Sequence, residues 1–281
     1  MDIVDAQVHA FFKLQENEML AAMDALGIRA VIIDELWGHL ENWVAWPHAT
    51  QANGVRRALS PLAQVAALKH PDRFAFVQRV NRADPELAAL FAILGTTPGC
   101  RAVRVDLRSR EERQAFASGG FDELLGLARE RDLTVGLHIH GRDTAEVLRG
   151  TLGRFADVRF VLDHCGYPKA PEQWDSVLSL GACPNLWLKW CHAHHFFEAG
   201  PYPFPGLQKQ LLRAVDSYGA ERVLWASDIT HDHGNVSWAD LLYYVRESPS
   251  LSAGDREWLL SRAARAAYQW PTAVGAGATA A

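Results

Sequence analysis

The chain has 281 residues, 49% of them hydrophobic and 22% charged, with a formal net charge of −5. This suits one large domain with its own core, and the acidic balance argues against nucleic acid or an acidic membrane as the main partner. No run of 18 apolar residues is present to span a membrane, and the start lacks the basic and apolar regions of a signal peptide. The four cysteines, Cys100, Cys165, Cys183 and Cys191, show no CxxC spacing and are too few for a disulfide scaffold, so reduced thiols and a cytoplasmic setting are expected.

Strand and helix patterns alternate from end to end. The first strand spans about 3–9, and a helix over about 16–27 closes on Gly27, where a left-handed cap is favoured. The second strand is 30–33. A long connection over about 37–60 follows, carrying Trp37, His39, Trp43, Trp46 and His48. Next come a helix at about 61–70, a strand at 74–77, a helix opened by Asp84-Pro85-Glu86, a strand at 102–105 and a helix at about 120–131. The fifth strand is 133–139, followed by a helix at about 144–156, a strand at 158–162 and a helix at about 171–181. The seventh strand is 186–189, with a helix at about 206–219, and the eighth strand is 223–226. Ser237 with Asp240, and Ser252 with Asp255, have the spacing of capping boxes for the last helices. Residues 272–281, rich in Ala, Gly and Thr, read as a loose tail behind a catalytic domain of residues 1–271.

Eight apolar strands, each followed by a helix, predict a single-domain (β/α)8 TIM barrel. The strands lack strict alternation, as in a parallel sheet covered on both faces. A doubly wound open sheet is the rival, but no glycine-rich phosphate loop follows the first strand.

The active site of such a barrel lies at the carboxyl ends of its strands. His9, His138, His140, His164, His192, His194, His195, His231 and His233 all fall at or just after strand ends, nine of the twelve histidines. A single histidine there is more often a hydrogen-bonded packing residue than a ligand; joint convergence favours His9, His164 and Asp228 as catalytic groups. Asp228 ends an apolar strand, where an unpaired carboxylate is costly, so it is paired, bound to a cation or held for chemistry. His138 and His140 share one strand face, and at least one is expected to enter the mouth. Arg104 reads equally as an ion pair with Asp106 or Asp5 and as a clamp for a substrate carboxylate. Lys189 and His192 lie near it in the same rim. The long-loop tryptophans, Trp37 among them, read as packing or as a stacking wall over the mouth.

The first-strand Asp5-x-x-x-His9, Val161-Leu162-Asp163-His164-Cys165-Gly166 and Trp225-Ala226-Ser227-Asp228 together resemble the amidohydrolase superfamily, and within it the amidohydrolase-2 branch. The resemblance covers about residues 2–270. It implies a TIM-barrel enzyme of a branch holding sugar and dicarboxylate lactonases, zinc-dependent decarboxylases and hydratases. It also implies a metal site made by a first-strand His-x-His, a fifth-strand His and the eighth-strand Asp. Here the first position is Gln7, whose amide oxygen replaces imidazole poorly around zinc. The expected metal set, where one exists, is therefore His9, His138, His140 and Asp228. The branch also includes enzymes that work without metal, so no cofactor, or one divalent Zn or Mn, is expected.

The resulting expectation is hydrolysis of a cyclic ester or related acyl compound. Asp228 takes a proton from water, His9 and His164 stabilise the oxyanion or protonate the leaving oxygen, and Arg104 with Lys189 holds a substrate carboxylate, with Gln7, Trp37 and His192 also lining the site. The first alternative is a metal-dependent non-oxidative decarboxylase or hydratase of an aromatic or unsaturated acid. The second is a barrel that binds a ligand without turning it over. The expected partner is a small, carboxylate-bearing molecule, and a homo-oligomer is compatible with the sequence.

Overall fold

In a computed structural model, residues 1–9, 15–34, 48–58, 62–140, 143–230 and 236–271 are described. Ten strands are present: β1 (Ile3–Val8), β2 (Ile28–Asp34), β3 (His48–Thr50), β4 (Arg56–Ala58), β5 (Phe74–Arg79), β6 (Cys100–Leu107), β7 (Thr134–Ile139), β8 (Phe160–Leu162), β9 (Leu186–Trp190) and β10 (Val223–Trp225). Eight of them form one parallel sheet in the order β1-β2-β5-β6-β7-β8-β9-β10. The ends of this sheet meet: the Asp228 N–H donates to the Gln7 carbonyl at 2.9 Å, and the Ser227 N–H donates to Asp5 Oδ1 at 2.9 Å. The result is the expected (β/α)8 barrel.

The twelve helices are α1 (Glu16–Leu26), α2 (Leu62–Lys69), α3 (Leu87–Leu94), α4 (Arg110–Ala117), α5 (Asp122–Glu130), α6 (Thr144–Arg154), α7 (Pro171–Leu178), α8 (Ala193–Phe196), α9 (Pro205–Tyr218), α10 (Trp238–Arg246), α11 (Ala253–Glu257) and α12 (Ala263–Ala267). Local sequence accounts for several ends. Gly27 takes φ 73° after α1, and both capping boxes form, on Ser237 and on Ser252. The sequence reading missed α4 and the β3–β4 hairpin, which are short elements inside connections. The expected loose tail at 272–281 and the loop residues Trp37, His39, Trp43 and Trp46 lie outside the described residues, as do His231 and His233.

Two apolar layers hold the barrel. Phe74, Phe76, Val103, Val105, Leu137, Ile139, Leu162, Leu188 and Trp225 point outward and pack with the helices. Inside, Val4, Ala30, Ile32, Ala75, Val77, Ala102, Val161 and Leu224 fill the lower barrel, which Ala267, Tyr268 and Trp270 close from below. Alternation then carries later inward positions of the strands upward, and there the side chains change from apolar to polar or charged: Asp34 on β2, Arg79 on β5, Arg104 on β6, His138 on β7, Asp163 after β8, Lys189 on β9 and Asp228 after β10.

Candidate active site

The charged layer has two tiers. The lower tier is a closed ion-pair network. Arg104 contacts Asp163 through Nε at 2.6 Å and Asp34 through Nη1 at 2.5 Å, and Lys189 Nζ reaches Asp163 Oδ1 at 2.7 Å. All four side chains are no more than 3% exposed. Two cations and two carboxylates balance, which is what permits charges at this depth. Burial alone would make the Asp163 carboxyl harder to ionise; the charges of Arg104 and Lys189 outweigh it and hold its pKa below the usual range. The same pairs outweigh burial in raising Arg104 and Lys189.

The upper tier surrounds Asp228. His9 Nε2 lies 3.1 Å from Asp228 Oδ1, His192 Nε2 2.8 Å from Oδ2, and Gln7 Nε2 donates to Oδ2 at 2.9 Å. The His9 Nδ1–H donates to the Asp34 carbonyl at 2.7 Å, since a carbonyl can only accept. His9 Nε2 therefore faces a carboxylate oxygen with either a proton or a cation between them. Burial raises the cost of ionising Asp228, yet the charge of His9 and the hydrogen bond from His192 drive its pKa well below 3.8. Burial likewise opposes the charged form of His9, and Asp228 more than offsets it, raising the imidazole above 6.5.

Gln7 couples the tiers. Lys189 Nζ donates to Gln7 Oε1 at 2.9 Å. An ammonium has donors only, so the amide oxygen must face Lys189 and the amide N–H must face Asp228. His164 completes the tier: Nε2 is 3.3 Å from Arg104 Nη2 and 3.4 Å from Gln7 Nε2, while the buried Nδ1 has no hydrogen-bond partner among the described residues. Burial, with the charge of His192, pushes His164 well below 6.5, so the ring is neutral.

The turns that deliver these side chains are backbone-strained. His164, Cys165, Tyr167, His192 and Asp228 all have φ between 50° and 54°. A non-glycine residue in that region costs about 1–2 kcal/mol, and such strain collects where geometry serves function.

His164, Cys191, His192 and Asp228 place one donor atom each within 4.8 Å of one another. Two imidazoles, a thiol and a carboxylate, with His164, Cys191 and Asp228 buried and His192 partly buried, form a donor set that fits a borderline-soft divalent ion such as zinc. This differs from the expected set. His138 Nε2 is 3.0 Å from the Tyr167 hydroxyl, and its Nδ1 is 3.5 Å from Arg79 Nη2. His140 lies beyond it, with its ring 3.6 Å from that of Tyr167. The His138 ring lies 5.6 Å from that of His164 and 5.1 Å from that of His140, between centroids. His9 touches Asp228, but at the other carboxylate oxygen.

One further reading is corrected. Arg104 pairs with Asp34 and Asp163, not with Asp106 or Asp5. Asp106 pairs with Arg108, and Asp5 turns outward to accept from Ser227 and the Trp238 indole. Arg104 and Lys189 are also engaged below the mouth, in ion pairs with Asp34 and Asp163 and, for Lys189, a hydrogen bond to Gln7. Cys191, Asp34, Arg79 and Tyr167 were missed. Three of them were legible by alternation: Asp34 is two residues after Ile32, Arg79 two after Val77, and Cys191 two after Lys189.

An eight-stranded parallel barrel whose mouth gathers histidines around a buried aspartate defines the class of catalytic TIM barrels. The sequence matches the family described as amidohydrolase over residues 41–270, and the chain belongs to it, in the amidohydrolase-2 branch. It is an enzyme of that type. No curated protein matches it. Solved structures share the fold. A zinc-bound amidohydrolase from Burkholderia multivorans superposes with a TM-score of 0.74 at 18% identity, covering 96% of this chain and 100% of the other. A Pseudomonas putida protein described as a 2-pyrone-4,6-dicarboxylic acid hydrolase gives 0.69 at 21% identity over 96% and 98%. A dihydroxybenzoic acid decarboxylase from Polaromonas, with bound manganese and an inhibitor, gives 0.62 at 15% identity over 95% and 97%. Among the described residues no helix is long and apolar enough to cross a membrane.

Proposed function

We propose that the chain hydrolyses a cyclic ester or a related small acidic acyl compound. The observation that carries this reading is the ionised Asp228 carboxylate, buried at the mouth and held by His9, His192 and Gln7. Asp228 and His192, 2.8 Å apart, form a carboxylate–imidazole pair able to orient water and take up its proton. His192 is the more exposed member of the pair and meets the water first; its side chain is 12% exposed against 1% for Asp228. The neutral His164 ring offers a nearby polar group to the carbonyl oxygen as charge develops, and His9 offers a proton to the leaving oxygen. His164, Cys191, His192 and Asp228 would hold a divalent ion, which would supply Lewis acidity at the mouth. The substrate carboxylate is assigned to the β5–β6 rim, where the Arg79 and Arg108 guanidinium groups lie beside Asp106. Family membership and the pyrone hydrolase neighbour support this reading.

The test is turnover of a panel of carboxylated lactones, read as acid release. Asp228→Asn should lower kcat by about 10³ or more while circular dichroism and melting stay native-like. Full activity in that variant would exclude the assignment.

A second reading, non-oxidative decarboxylation of an aromatic acid, draws on the ring wall of His138, His140, Tyr167 and Phe196, whose successive ring contacts run from 3.6 to 5.1 Å. Release of CO2 from hydroxybenzoates, with no acid release from lactones, would select it.

A further inference from the structure

We propose that this chain carries a thiolate-containing divalent-metal site, built from His164, Cys191, His192 and Asp228 on the β8–β10 side of the mouth rather than around the first strand.

Three observations carry it. First, Gln7 is unable to serve as a ligand in this arrangement. Its only lone-pair-bearing atom, Oε1, receives the Lys189 ammonium at 2.9 Å, and its amide nitrogen is turned to Asp228 at 2.9 Å. Rotating the amide to offer oxygen to an ion would set the amide N–H groups against an ammonium, donor against donor, inside a buried network. Second, the fifth-strand partner is also occupied: His138 lies between the Tyr167 hydroxyl and Arg79. Third, four donors of the types that zinc selects do converge elsewhere, within 4.8 Å of one another. Ligand atoms around a tetrahedral ion with bonds of about 2.0–2.3 Å lie roughly 3.3–3.8 Å apart, so the cluster needs only a modest contraction.

The backbone supports the same choice. Three of the four residues, His164, His192 and Asp228, take φ of 50°, 53° and 52°. Each sits on a left-handed turn just past its strand, and the turn aims its side chain at the common centre. Cys191 reaches that centre by strand alternation from Lys189. His164 reaches the same centre, its Nε2 lying 3.9 Å from Asp228 Oδ2.

An ion in this position would take the place of the proton now shared between His192 and Asp228. It would also acquire a sulfur ligand, which sets it apart from an all-nitrogen-and-oxygen site by spectroscopy. The inference is independent of the reaction proposed above, because its readout is the metal and not turnover.

The experiment is a cobalt(II) titration of the full chain after chelation. The expected result is saturation at one ion per chain, with a thiolate-to-cobalt charge-transfer band in the near ultraviolet. Cys191→Ser should abolish that band while keeping a native melting curve, and should weaken cobalt binding. His138→Ala should leave the band in place. Stoichiometric cobalt binding without the band would overturn the proposal, as would a band that survives Cys191→Ser or binding that vanishes only in His138→Ala. Failure to bind cobalt at all would overturn it too. Should the serine variant misfold, X-ray absorption at the zinc edge of the wild-type chain decides the same point, since a sulfur scatterer is either present or absent. Loss of lactone turnover with the band intact would count against the proposed reaction alone.

Discussion

Asp228 and Asp5 show how neighbouring carboxylates on one seam acquire opposite properties. Asp228 sits beside His9, whose imidazole is raised toward its charged form, and is held ionised. Asp5 is equally buried but accepts only neutral donors: the Ser227 and Gln7 amides, the Ser227 hydroxyl and the Trp238 indole. Burial therefore dominates, and its pKa is pushed up from 3.8 to about 6. Because the folded value lies above the unfolded one, Asp5 favours the folded state most below about pH 4, and that contribution is lost as pH rises through about 6. The shift corresponds to about 3 kcal/mol. Asp5→Asn should flatten the fall in unfolding free energy between pH 4 and 7, measured by urea titration at each pH. It should also lower stability by about 1–3 kcal/mol overall, because the new amide N–H faces existing donors. An unchanged pH slope would assign the titration to another group.

At the scale of the elements, the ion-pair tier joins inward-facing charges from four strands: Asp34 at the end of β2, Arg104 on β6, Asp163 just after β8 and Lys189 on β9. Removing one member leaves another charge uncompensated. Lys189→Met should expose this: it strips Asp163 of a cation and frees the Gln7 amide, and a cost of about 3–5 kcal/mol in chemical denaturation is expected. Arg104→Met should cost a similar amount, and the double variant should cost less than the sum, because the two share Asp163. Strict additivity would mean that the two pairs act separately. These strand ends also explain a misreading. Strands bounded by their apolar runs, as at 30–33 and 74–77, stop one or two residues short. The observed β2 and β5 extend to Asp34 and Arg79, since a barrel mouth can bury charge on a strand when partners arrive from other strands.

For the whole molecule, the two ends of the barrel play different parts. The lower end is sealed by chain arriving last: the Thr134 hydroxyl donates to the Ala267 carbonyl at 2.6 Å, Arg265 grips Asp2 at 2.9 and 3.0 Å, and Tyr268 and Trp270 fill the interior. Truncation after residue 262 should therefore abolish cooperative unfolding, whereas ending the chain at 271 should leave the melting temperature unchanged within about 2 °C. The upper end holds the candidate site. Periodicity and strand count were enough to predict the barrel, because parallel strands covered on both faces have to be apolar runs and each needs a crossover helix. The same reading placed His9, Gln7, His164, Lys189 and Asp228 at the mouth, because strand ends in this fold face one way. It did not place the partners. That Arg104 meets Asp34 and Asp163, 70 and 59 positions away in sequence, is a contact between strands, and no local pattern encodes it. The orientation of the Gln7 amide is set by Lys189, 182 positions later. The role of Cys191 depends on turns after three different strands converging on one point. Sequence by itself determined the fold and the face on which the residues lie, because hydrophobic period is a local property. Tertiary structure alone decided which of those residues are paired, which are held neutral and which surround a common centre, because charge, desolvation and hydrogen bonding act between residues far apart in the chain.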